Sequence, residues 1–216
     1  MLQIIKINCI ISLLPKIKEK DKAFFTRYAS VIGRLFLNQF AIALFGIALA
    51  FACGRAGNLT LQRLSSAGAV LFYLFLLYAA MWETGAKDGI SAKARGESRR
   101  LWRGLLISLS ANALNILLAL LILPGAFFTG AQGFSSVFSV IALLIEGMYT
   151  GLLAIPLRGL SLNAYAFSYF LIILPALLVS SVAYILGSYD LHATNILIPK
   201  NKDVKGNGRN SGKKEP

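Results

Sequence analysis

The sequence predicts an all-α protein: a polytopic transmembrane helical bundle of about five spans, with an amphipathic N-terminal helix. Five apolar stretches carry this expectation, at 35–53, 67–86, 104–123, 136–155 and 168–187. Each is long enough for a helix to cross the roughly 30 Å hydrocarbon core of a bilayer. Nearly all the charge lies between them: 14% of the 216 residues are charged and mean hydropathy is +0.67, whereas soluble domains carry roughly 25% charge. The length fits one membrane domain with no separate soluble domain of ordinary size.

In chain order, residues 1–34 are basic and amphipathic. Lys16, Lys18, Lys20, Lys22, Arg27 and Arg34 alternate with Phe24, Phe25, Tyr28, Val31 and Ile32. The aromatic and aliphatic positions have helical spacing, which suits a helix lying at the interface. Residues 2–14 are apolar, but Pro15 and a run of lysines stand where a signal peptide would have its cleavage site. Span one carries Gly46 and Ala50, a small-xxx-small pair that admits a close neighbouring helix. Span two ends at Trp82, a headgroup-depth residue, and leads into the most charged segment, 87–103. Span three contains Ser108, Asn112 and Asn115 and leaves through the turn signal Pro124-Gly125. Span four holds Glu146 and a GxxxG pair, Gly147 and Gly151, which favours close helix contact within the chain or between copies. Span five has Pro175 near its middle, with Ser180 and Ser181 placed to help satisfy a freed carbonyl. The remainder, 189–216, is polar and basic with a composition that favours disorder.

Lys and Arg set orientation. An N-terminus inside puts 14 of them on inner segments, Arg158 among them, and only Arg55 and Arg63 outside before the tail. Five crossings then place the basic tail outside, against its charge. Either the basic tail is translocated or one span is miscounted; a re-entrant segment or an extra short membrane passage near the N-terminus would restore even parity.

The net charge of +13 does not indicate nucleic acid, because the charges border membrane spans and do not form one face of a soluble unit. The partners expected are a bilayer with anionic headgroups and, through segment 87–103 or the small-residue pairs, another membrane protein or a second copy. Cys9 and Cys53 have no ligand or disulfide spacing, and His192 is the only histidine. No metal or cofactor signature is present. With no paired carboxylates, His cluster or nucleophile elbow, an enzyme is the least favoured class.

Glu146 is the sharpest residue. A carboxylate at mid-membrane costs about 2.5–3.5 kcal/mol on insertion scales, so it should face the bundle interior. Ser108, Asn112 and Asn115 share one helix face at the same depth, and Tyr149 and Ser139 share a face with Glu146. Together they form a candidate polar seam, serving either as a site for a proton, cation or polar ligand or as interhelical glue. A second candidate cluster lies at the inner interface: Asn38, Gln39 and the i,i+4 pair Glu83 and Lys87.

The segments FLNQF (36–40), LFYLFLLYAAMWETGAKD (71–88), GLLISLSANALN (104–115), EGMYTG (146–151) and NAYAFSYFLIILPALLVSSVAYILG (163–187) resemble a family of small bacterial multi-pass membrane proteins with no assigned activity. The resemblance covers most of 35–188 and implies a bacterial cytoplasmic membrane. Two functions remain open. A structural or accessory subunit that docks with another membrane component ranks first; a small-solute or ion transport protein with its site between spans three and four ranks second.

Overall fold

The computed structural model describes the backbone of residues 2–191 and the side chains of 22–191. His192, the Cys9 side chain and the tail beyond Leu191 lie outside the described residues.

Helix α1 (Leu2–Arg55) runs unbroken through the basic segment and the first apolar stretch. Helix α2 (Leu59–Arg95) has 37 residues, about 55 Å at the helical rise, and overruns a bilayer core. Asn58 starts it by accepting the Leu61 N–H at 3.0 Å, and Gly96 ends it with a φ of 66°. Much of the expected charged loop 87–103 is therefore helix, and the connector is only 96–102.

The third and fourth stretches are broken rather than continuous. Helices α3 (Arg103–Ala111) and α4 (Ala113–Ile122), the latter continued by α5 (Pro124–Phe127), are bent by 58° at Asn112. Helix α6 (Gln132–Ile145) ends at Glu146. A 3-10 turn, Gly147–Tyr149, and α7 (Thr150–Leu153) then leave at 93°. A hairpin of β1 (Pro156–Leu157) and β2 (Leu160–Ser161) follows, turning through Arg158 and Gly159 at positive φ. Helix α8 (Ala166–Ser188) closes the fold with Pro175 inside it. Ser181 donates to Leu177 O at 2.7 Å, while buried Ser180 has no partner among the described residues. The chain is an all-α bundle; among the described residues three straight helices are long and apolar enough to cross a membrane, or five segments if each bent pair counts as one.

Helix direction sorts these segments. Helices α2 and α8 are parallel: Gly85 meets the backbone of Tyr184, and Gly89 meets that of Ser188, four residues further along both helices. Any Cβ at either glycine would collide with that backbone. Five full crossings would make α2 and α8 antiparallel. The fourth stretch supplies the difference. Gly147 packs on Ala43 and Ile47 of α1, and Gly151 packs on Gln62 and Ser66 close to the start of α2. So α6 enters from the α5 end, reaches the interior at Glu146, and α7 turns back toward the end it came from. Leu191, the last described residue, accepts the Trp82 indole N–H at 2.9 Å, at the same end as Arg27 and Asp88. The expectation that a fifth crossing carries the chain to the far side is corrected. So is the placing of Arg158, which lies with Arg55 and Arg63 at the opposite end.

The core joins Leu35, Tyr73, Leu77, Met81, Ile107, Leu118, Met148, Tyr169 and Ile173 from α1, α2, α3, α4, the 3-10 turn and α8. Leu71, Phe75, Leu120 and Leu178 remain more than half exposed on the outer surface. Apolar residues inside and outside alike are what a lipid-facing bundle requires.

Candidate functional site: a polar core at two helix breaks

Each break occurs at the polar residue itself. The Asn112 side-chain amide donates to Ser108 O at 3.0 Å, the same carbonyl that receives the Asn112 backbone N–H at 3.0 Å. The side chain thus shares the Ser108 carbonyl with the backbone at the residue that leaves helical geometry, with φ −92° and ψ 9°. Asn115 then donates its amide to Asn112 Oδ1 at 3.2 Å. At the other break, Glu146 takes φ −110° and ψ 30° and is followed by a glycine pressed against α1. The irregular backbone is satisfied by neighbours: Ser66 of α2 donates its hydroxyl to Met148 O, and Thr150 donates to Gly147 O at 2.7 Å. Non-helical backbone at membrane depth is tolerated only where protein or an aqueous cavity surrounds it.

Ser108, Asn112, Asn115, Glu146 and Tyr149 are all at most 5% exposed, and Glu146 faces the interior. Gly125 packs against Ser135, fixing α4–α5 and α6 as antiparallel neighbours. Asn112 and Glu146 stand 13 and 11 residues from that contact along their helices, so at the helical rise the two breaks lie within about 3 Å of one depth. No hydrogen bond joins Glu146 to either asparagine among the described residues. Glu146 is instead within electrostatic reach of Tyr73 of α2, Tyr149 and Tyr169 of α8.

The inner-interface cluster divides. Lys87 donates to Glu83 at 2.7 Å and Arg34 approaches Glu83 at 3.5 Å, all on the surface. Gln39 is only 2% exposed and accepts from the Tyr73 hydroxyl at 3.5 Å, so it belongs to the interior polar core; Asn38 stays part-exposed. The small-residue positions are used within the chain. Gly46 lies on the Gly147–Met148 backbone, and Gly147 and Gly151 face α1 and α2 respectively. Ala50 lines an apolar groove with Phe51, Gln62 and Thr150.

Sequence reading missed the Asp88 clamp. Its carboxylate accepts from Arg27 at 2.5 Å, Tyr28 at 2.5 Å and Tyr184 at 2.7 Å, and Arg103 donates to the Tyr28 hydroxyl at 3.3 Å. One acid thus ties α1, α2 and α8 together, with α3 joined through Tyr28. The signal available was Gly85-xxx-Gly89, a second GxxxG hidden in a charged segment.

The polar core is not fully satisfied. Gln39 Nε2, Ser108 Oγ, Asn115 Oδ1, Glu146 Oε2 and the Tyr149 hydroxyl are buried without a partner among the described residues. Most are oxygens, the donor type that hard cations select. No three His, Cys, Asp or Glu side chains converge among the described residues. Comparison with protein-family models, curated proteins and solved structures finds no match to this chain.

Proposed function

We propose that the protein is a non-enzymatic, transport-type membrane protein that binds a small cation, the proton included, at Glu146. The observation that carries this reading is the pair of helix breaks at one depth, each made by a buried polar residue. Broken helices near the midplane are how many secondary transporters present carboxylates and backbone groups to ions. An ionisable side chain inside the membrane marks a functional site by default. Segments 35–53, 67–86, 104–123 and 166–188 contain no Lys, Arg or His, so no fixed cation neutralises Glu146 there.

The accessory-subunit reading loses weight because Gly46, Gly147 and Gly151 contact their own chain and offer no free docking face. The proposed setting is a bacterial cytoplasmic membrane. The Arg27 end is cytoplasmic, since only Arg55, Arg63 and Arg158 stand at the other end before Leu191.

Thermal unfolding in detergent tests the site. Lowering the pH, or adding sodium or potassium chloride against a choline chloride control, should raise Tm of the wild type and leave Glu146→Gln unmoved. An equal response of both proteins would reject the reading.

A further inference from the structure

A cavity of about 460 Å³ opens between α5, α6 and the segment leading into α8. Its polar lining is Gln132, Ser135, Ser136, Ser139 and Asn163, and no charged side chain is present in it. Ser135 is 6% exposed, and its hydroxyl has no partner among the described residues. The cavity follows one face of α6: Ser139 and Leu143 line it, and Glu146 continues that face one turn deeper. Tyr169, 1% exposed, donates its hydroxyl to Asn163 of the lining and lies within electrostatic reach of Glu146. An uncharged, hydroxyl-lined cavity can exchange water for protein oxygens around a small cation without trapping it. A fixed charge there would bind the cation or repel it.

We propose that this serine-lined cavity is the aqueous entrance through which a small cation reaches Glu146, with Tyr169 as the gate between them. The proposal rests on the reading of Glu146 as a cation site, and it adds the route and its side. The route opens at the α5–α6 end, opposite the Asp88 clamp. Tyr169 closes it with its hydrogen bond to Asn163, so opening requires that the phenol leave Asn163.

Full-length protein in which Cys9 and Cys53 are replaced by serine, in sealed vesicles, provides the test. Single cysteines are introduced as Ser136→Cys, Ser139→Cys and Glu146→Cys, with Gly96→Cys marking the other face, and probed with a membrane-impermeant methanethiosulfonate. Ser136→Cys and Ser139→Cys should react from the side opposite Gly96→Cys. Glu146→Cys should react slowly from that side, and about tenfold faster once Tyr169→Ala is added, with a smaller rise for Tyr169→Phe, which keeps the ring and removes the hydrogen bond. A reactive Ser136→Cys beside an unreactive Ser139→Cys would overturn the proposal. So would a Glu146→Cys that reacts from the Gly96 side or ignores Tyr169→Ala. Labelling reads access alone. If it succeeds while Tm of the wild type ignores cations and pH, the cation reading fails and the aqueous route stands.

Discussion

Asp88 and Glu146 are both shielded carboxylates, yet their surroundings differ in kind. Asp88 sits at the membrane border with its side chain 11% exposed and receives a guanidinium and two tyrosine hydroxyls. Glu146 sits at the tip of a turned-back segment, 3% exposed, with one oxygen unpartnered among the described residues. Hydrogen bonds to a charged group each contribute about 1.5–3 kcal/mol, so Asp88 is placed to hold helices together. Glu146 has little of that stabilisation, and its burial needs another reason.

The contrast can be broken most sharply at the Asp88 clamp. Gly85→Leu drives a side chain into the Tyr184 backbone. It should cost about 3 kcal/mol, the upper end for overpacking, and lower Tm in detergent more than any other change considered. Asp88→Ala should follow at about 2 kcal/mol, because Tyr28 and Tyr184 lose their acceptor while Arg27, 40% exposed, regains water.

The same measurement at the site should give smaller numbers. Glu146→Leu removes one polar group from a core that already tolerates unpaired atoms and should cost about 1 kcal/mol. Glu146→Gln should fall within about 0.5 kcal/mol of wild type. A Glu146→Gln loss as large as that of Asp88→Ala would make Glu146 a second clamp. The smallest effects on folding belong to the arginines around the clamp. Neutralising Arg95, Arg99 and Arg100 should leave Tm nearly unchanged and weaken co-sedimentation with anionic vesicles by about 1 kcal/mol per residue. Unchanged vesicle binding would separate that surface from the lipid.

Much of the fold is legible in the sequence because apolar length and charge borders are strong signals. The 166–188 helix and the Glu83–Lys87 pair need little more than that. The breaks at Asn112 and Glu146 are not legible, since span-scale hydropathy is indifferent to whether a helix bends or returns. The residues there are visible as polar; their backbone angles are not. Gln39 reads as an interface residue by position, yet the turn of α1 points it at Tyr73. Tyr73 and Tyr169 pass as ordinary apolar-face aromatics until tertiary packing places them near Glu146. The tail's charge conflict was the one sequence-level trace of the turned-back segment.

The arrangement stands or falls on that segment, because a fourth stretch that crossed fully would carry Glu146 out of its present surroundings. Sided reporter fusions after Gly96, Gly130, Gly159 and Leu191 measure it directly. Gly96 and Leu191 should report one side, and Gly130 and Gly159 the other. Leu191 reporting with Gly130, or Gly159 reporting with Gly96, would show that the fourth stretch crosses the membrane, and the site built at its tip would be lost.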